Sequence, residues 1–285
     1  MKFIAKIFEF LLAIIFSFFG GSGGDTVAHS YRISDNVAAC DVIVHYIDVG
    51  QGDSIFVQLP DGKSMLIDAG TNDSDDVVCD YIDNMGEDFL DYVVATHPHA
   101  DHIGGMDGVI DTFDIGKFYM PDVQSNTKTF ESMLDSLDDK NVKTEVARAG
   151  VVICDEGNLK IQIFSPTEAY YDETNDYSAV VKLTYGETDF LFAGDAQEYA
   201  ESKITADVSA DVLKVGHHGS KTSTSDSFLE RVNPSLAVIS SGKDNEYGHP
   251  HKEVTDRLRS RGIKIFRTDT SGTVVMGSDG ENIEY

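Results

Sequence analysis

The sequence predicts an α/β protein in which two β-sheets pack face to face and helices cover their outer surfaces. Three observations predict it. Short apolar runs gather into two sets, from Val42 to Asp68 and from Leu159 to Gly194, and turn residues separate the runs within each set. Segments with helical spacing lie between and after the two sets. Strand sets divided by helices bury the most apolar surface when the sheets stack on each other and the helices cover the remaining faces.

The first set contains VIVHYIDV (Val42–Val49), SIFVQL (Ser54–Leu59) and SMLID (Ser64–Asp68). Gly-Gln-Gly-Asp and Pro-Asp-Gly turns join them, which predicts an antiparallel meander. Helical periodicity follows over Asp75–Met85, and then DYVVAT (Asp91–Thr96), a strand that runs directly into a histidine cluster. Helices and strands alternate from Gly104 to Val146, where the spacing of Phe130, Leu134 and Leu137 places all three on one core-facing stripe. The second set contains LKIQIF (Leu159–Phe164), SAVVKLTY (Ser178–Tyr185) and DFLFAG (Asp189–Gly194). ADVLKV, SLAVIS, IKIF and GTVVM supply further strands, with helices expected near Asp226–Val232 and Lys252–Arg261. The acidic stretches Asp73–Asp91 and Asp135–Asp139 read as solvated faces.

Against 22 Lys and Arg the 285-residue chain carries 49 Asp and Glu, a formal charge of −27. That excludes a nucleic-acid scaffold that works through whole-protein attraction, but not chemistry on a phosphodiester. Cys40, Cys79 and Cys154 lie far apart with no Cys-x-x-Cys spacing, so at most one disulfide can form and the thiols read as idle or buried.

Residues 1–24 read as a signal peptide or a membrane anchor with a Gly/Ser linker. Lys2 and Lys6 precede an apolar run, Ile7–Phe19, that breaks at Gly20. The run suits the h-region of an export signal, with Thr26-Val27-Ala28 as the cleavage candidate; an uncleaved anchor is the alternative. Either way the basic flank predicts a product that is secreted, or membrane-anchored with the catalytic domain outside the cytoplasm, touching the membrane only through this segment. The second domain is expected over residues 40–285.

The strongest chemical signal is Thr96-His97-Pro98-His99-Ala100-Asp101-His102-Ile103-Gly104-Gly105, where a strand gives way to a helix. Imidazoles suit zinc and other transition ions, and a carboxylate among them lets one loop serve two ions. Surface histidines would not concentrate so, and the Gly pair lets the loop turn tightly. Phe190-Leu-Phe-Ala-Gly-Asp195 ends an apolar strand on a carboxylate, a costly place for a negative charge unless a cation offsets it. Asp211-Val-Leu-Lys-Val-Gly-His217-His218-Gly219-Ser220 puts two more imidazoles at a strand exit.

Together these elements resemble the metallo-β-lactamase superfamily: His-x-His-x-Asp-His, then a strand-end Asp, then a strand-end His. The segments Asp48-Val-Gly-Gln-Gly-Asp53-Ser54, Leu66-Ile-Asp68-Ala-Gly70, Asn175-Asp-Tyr-Ser178 and Asn245-Glu-Tyr-Gly-His249-Pro250 are further similar to the extracellular hydrolase domain of ComEC-type competence proteins and their free-standing relatives. The resemblance implies a four-layered αβ/βα sandwich with a metal centre in the groove between the sheets. It implies two divalent metal ions, with His97 and His99 on the first, Asp101 and His102 on the second, and Asp195 between them. His217 or His218 completes the second site; His217, nearer the strand, is preferred, which leaves His218 facing substrate. Asp101, His218 and His249 are the catalytic candidates, His249 as a group that grips a phosphoryl oxygen or protonates a leaving group. Asp68 and Thr96 would orient the ligands, and Asp53 and Ser54 could approach from the Gly-Gln-Gly turn.

One departure bears on the metal. Most two-metal members supply another first-site histidine before the bridging Asp, whereas no His lies between His102 and His217, and Asn175 or Asp176 occupies that stretch. Zinc is the first expectation, and an oxygen ligand there would shift preference toward manganese. The implied reaction is hydrolysis by metal-activated water, on a small phosphodiester or nucleic acid. Distant charge should attract DNA poorly apart from Lys214, Lys221, Lys243, Lys252 and Arg257, so short diesters are the expected substrates. A lactam, lactone or thioester hydrolase and a silent metal-binding surface protein are the competing readings, and no protein partner is predicted.

Overall fold

Alternation of apolar side chains along the predicted runs sets the architecture. The computed structural model describes residues 33–285, so the leader or anchor expected at 1–24 lies outside the described residues. Strands β1 (Val42–Tyr46), β2 (Ser54–Gln58) and β3 (Ser64–Ala69) form the antiparallel meander that the turns predict. Helix-bearing crossovers then add β4 (Phe89–Val94), β5 (Asp114–Met120) and β6 (Thr144–Val146) in parallel. Near the end of the chain β14 (Val274–Ser278) and β15 (Ile283–Glu284) return to this sheet, β14 pairing antiparallel with β1.

The second sheet runs from β7 (Val152–Glu156) through β8 (Leu159–Ser165), β9 (Val180–Tyr185) and β10 (Thr188–Phe192), all antiparallel. It continues in parallel with β11 (Val212–Lys214), β12 (Leu236–Ile239) and β13 (Lys264–Arg267). Edge strand β7 is absent from the sequence expectation because Asp155 and Glu156 break its apolar alternation.

Period-two alternation divides each central strand between two cores. Phe190 and Phe192 join Val44, Ile55, Ile67 and Val94 between the sheets, whereas Leu191 and Ala193 pack outward with Phe228, Leu229, Val254 and Leu258. Those outer residues belong to helices α7 (Asp226–Val232) and α8 (Lys252–Ser260), which follow α6 (Glu198–Lys203). On the first sheet lie α2 (Asp75–Asn84), α4 (Met106–Thr112) and α5 (Lys128–Asp139). Short helices α1 (Asp35–Ala38), α3 (Ala100–Ile103) and α9 (Thr268–Ser271) complete the set among the described residues. The layers are therefore helix, sheet, sheet, helix.

One local expectation needs correction. In α5 the buried stripe is Phe130, Met133 and Leu137, while Leu134 is 39% exposed, because the i, i+3, i+7 row and not i+4 faces α4. All three cysteines are free.

Candidate metal centre

The candidate ligands converge because β4, β10 and β11 all open onto the same edge of the sandwich. After β4 the chain runs through Thr96 to His99, which stands in extended conformation immediately before α3. Gly104 makes this turn possible: a Cβ there would fall 2.2 Å from the backbone of Thr71 and Asn72. Gly52 does the same from the other side, since its Cβ would lie 2.4 Å from the Asp101 carbonyl oxygen. Asp53 N–H donates to that same carbonyl at 3.1 Å, fastening the Gly-Gln-Gly-Asp turn to the histidine loop.

Buried oxygens fix the ring orientations. Asp68 Oδ2 accepts from Nδ1 of His102 at 2.7 Å and from the Thr96 hydroxyl at 2.7 Å, while Asp68 Oδ1 accepts from Thr96 N–H at 2.8 Å. This engaged Nδ1 leaves Nε2 of His102 aimed into the cleft. Nδ1 of His97 meets the Thr96 hydroxyl at 3.1 Å and the Ser178 hydroxyl at 3.3 Å, so its Nε2 points inward as well. Ser178 Oγ also accepts from the backbone N–H of Asp195 at 3.0 Å, tying that carboxylate to the same frame.

Asp195 has a different group on each oxygen. Its Oδ1 lies 3.2 Å from His102 Nε2 and 3.5 Å from His218 Nε2. Its Oδ2 lies 3.6 Å from His217 Nε2 and 3.9 Å from His97 Nε2. His218 Nε2 is also 3.3 Å from Asp101 Oδ2, and His99 Nδ1 is 3.1 Å from His97 Nε2. The sequence prefers His217 beside Asp101 and His102; in the structure His218 stands there, and His217 turns to the His97 side. Backbone conformation is the reason. Both residues have positive φ, 50° and 52°, so the chain coils tightly and sends two adjacent imidazoles to opposite sides of one carboxylate.

Sequence reasoning missed one participant. Lys214, expected among the basic groups that could attract DNA, is instead sealed between the sheets, with Nζ 2.7 Å from Asp53 Oδ2 and 3.0 Å from the Val215 carbonyl oxygen. Arg257 and Lys252 are also engaged, with Thr224, Ser223 and Asp226 and with Asp256 respectively. Asp53 lies within the same buried cluster as His102, Asp195 and His218, whose ligand atoms all fall within 4.8 Å of one another. Its Oδ1, however, faces Nδ1 of His218 at 3.2 Å, beside the Ser240 carbonyl at 3.1 Å, and Nδ1 is the nitrogen turned away from Asp195. Asp53 thus braces His218 from behind by charge, its Oδ1 taking no hydrogen bond, whereas Asp68 holds His102 by one.

The carboxylates of the cluster favour positive charge on two of its imidazoles. Burial opposes charging His102, yet Asp195 and Asp68 outweigh it and raise the imidazole well above its ordinary range. Burial likewise works against His218, but Asp195, Asp53 and Asp101 bring it up to about 10. Burial would raise Asp195, and the imidazoles of His102, His218 and His97 instead hold it well below the usual carboxylate range. Asp53, despite burial, is held down to about 2 by Lys214 and His218. His97 is lowered by burial and by its neighbour His102, and His217 by burial.

A bound ion fits what the hydrogen bonds leave over. Nδ1 of His102 donates to a carboxylate and Nδ1 of His218 to a carbonyl, so in the neutral rings two lone pairs face each other across 3.3 Å. Asp195 Oδ1 beside them is buried and has no hydrogen-bond partner. Repulsion between three such acceptors is relieved by a shared positive charge, a proton or a metal ion, and a nitrogen and oxygen donor set suits zinc or manganese.

A model of the metallo-beta-lactamase superfamily matches residues 47–243, a span that holds Asp53, Asp68, the His97–His102 loop, Asp195, His217 and His218. The chain belongs to that superfamily. It is 31% identical over 251 residues to ComE operon protein 3 of Bacillus subtilis, an alignment covering 81% of this chain and 32% of that protein. It is 30% identical over 256 residues to competence protein ComA of Neisseria gonorrhoeae, covering 87% and 34% respectively. The chain therefore spans about a third of these ComEC-type competence proteins. Among solved structures, a metallo hydrolase from Ignicoccus hospitalis shares the fold at TM-score 0.53 and 19% identity, over 82% of this chain and 98% of that one.

Asn175 and Asp176, the two residues in the stretch where most two-metal members carry a histidine, separate in the structure. Asp176 turns away, its Oδ1 accepting from Gln197 N–H at 3.0 Å. Asn175 lines the cleft, and its buried Oδ1 has no partner. With Gln51, His99, Asp101, Asp195, His217, His218, Tyr247 and His249 it bounds a space of about 390 Å³. His249 stands beside His217 and His218, with ring centres 5.6 and 6.2 Å away, and its buried Nδ1 is also unpartnered. Burial, together with the charge of those two neighbours, lowers it to about 4. Among the described residues no helix is long and apolar enough to cross a membrane.

Proposed function

We propose that this metallo-beta-lactamase superfamily protein is a two-metal phosphodiesterase or nuclease that uses activated water, working outside the cytoplasm. One observation carries the reading: Asp195 presents Oδ2 to His97 and His217, and Oδ1 to His102 and His218. A carboxylate flanked in this way could serve two ions, one that His97, His99 and His217 would hold and another that Asp101, His102 and His218 would hold. When bound, divalent ions supply Lewis acidity, activating water for attack and stabilising charge on the phosphoryl oxygens.

The chain's own residues do the rest. Asp68 and Asp53 keep the ring nitrogens aimed, and the buried walls exclude bulk solvent from the inner side of the cleft. His249 and Asn175 line the cleft beside these groups, where they are placed to contact a substrate's polar atoms. Similarity to proteins named for competence supports a phosphodiester over a lactam or thioester, and Lys2, Lys6 and Ile7–Phe19 support export.

The test is turnover of the purified, metal-replete chain on bis(p-nitrophenyl) phosphate and a short oligonucleotide beside a lactam, a lactone and a thioester. Phosphodiester turnover that drops by roughly 100-fold or more in Asp195→Asn is expected. Faster turnover of any carboxylic substrate would overturn the reading, as would undiminished activity in the variant.

A further inference from the structure

Tyr247 is 65% exposed, yet it lines the same cleft as Asp195, His217 and His218. The segment that carries it is tightly held. The Asn245 amide donates to the carbonyls of Gly242 at 2.8 Å and His249 at 2.6 Å, and Asn245 Oδ1 accepts from His249 N–H at 2.9 Å. Gly242 N–H in turn donates to Gln51 Oε1 at 3.1 Å, which ties the segment to the Gly-Gln-Gly turn. The Tyr247 ring lies nearly parallel to that of His249, 5.6 Å between centres and 22° between planes, and most of the tyrosine side chain is left open. A preorganised aromatic face beside a reaction centre offers a planar group a surface to stack on at little entropic cost.

We infer that Tyr247 is a stacking platform for a base next to the hydrolysed phosphate, making it a specificity residue for nucleotidic over base-free diesters. The inference rests on the phosphodiester reading above. The ring contributes contact and no proton, so Phe should replace it and Ala should not.

The test is equilibrium binding to the full metal-replete chain of a fluorescent, phosphorothioate-linked short oligothymidylate and its abasic counterpart. Wild type is expected to bind the thymidylate about tenfold more tightly. Tyr247→Ala should bring that ratio to within about twofold of unity, chiefly by weakening the base-bearing probe, and Tyr247→Phe should keep it. Equal affinities in wild type would overturn the inference, as would an Ala variant that weakens both probes alike or a Phe variant that behaves like Ala. Hydrolysis of the unmodified oligonucleotide by wild type is scored separately: its failure would count against the phosphodiesterase reading while the binding ratio still decides the role of Tyr247.

Discussion

Lys214 Nζ meets Asp53 Oδ2 at 2.7 Å, joining the second sheet to the first in a pair that solvent does not reach. The other oxygen of Asp53 faces His218, so the lysine fixes a carboxylate that in turn braces an imidazole of the candidate centre. Replacing Lys214 by Met leaves the carboxylate buried without its cation. A loss of about 3–5 kcal/mol is expected in denaturant unfolding, and restoring neutrality with Asp53→Asn in the same chain should recover part of it.

Metal ions that bind only the folded chain stabilise it by mass action, by about 4.1 kcal/mol at roughly a thousandfold excess over Kd. Chelation should therefore lower the Tm of wild type, and it should lower the Tm of Asp195→Asn much less. Equal shifts in the two proteins would argue against Asp195 as a shared ligand.

The opposed placement of His217 and His218 predicts unequal consequences for each ion. Metal analysis after dialysis should give two ions per chain for wild type and a selective loss in each Ala variant. In His218→Ala the ion beside Asp101 and His102 is the one expected to go, and in His217→Ala the ion beside His97 and His99. Identical binding isotherms for the two variants would contradict that division.

Glu201 gives a pH dependence away from the centre. Its oxygens accept from the backbone N–H groups of Thr224 and Ser225, while burial raises its carboxyl to about 7. The folded value exceeds the unfolded one, so the stability it contributes is fully present below about pH 4.5 and is lost as pH rises through about 7. Glu201→Gln cannot ionise. Its stability relative to wild type should therefore rise by on the order of 3 kcal/mol between about pH 4.5 and about pH 8, as read from urea midpoints. A difference that stays flat with pH would show that burial does not govern this carboxyl.

Contiguity decides what a sequence can show. His97, His99, Asp101 and His102 occupy one turn and are legible at once, and Asp195 stands out because a carboxylate follows an apolar strand. The division of His217 and His218 between the two sides of Asp195 is not legible, since it depends on two positive φ angles that no residue type announces. Lys214 reads as a surface charge because lysine in a short strand is ordinarily solvated. Its inward direction follows only once β11 is set between β10 and β12, with Leu213 and Val215 packed on the outward face. The paired strand sets are plain from alternation, but the return of β14 to β1 is not, because partner choice between segments so far apart in the chain leaves no local pattern.

Asp53 and Lys214 stand 161 residues apart, and Asp195 joins the histidine loop only when the second sheet is in place. A nascent chain that has emerged as far as β6 would own the His-rich loop without its central carboxylate or either late imidazole. Assembly of the candidate centre is thereby coupled to synthesis of the second sheet as far as His218.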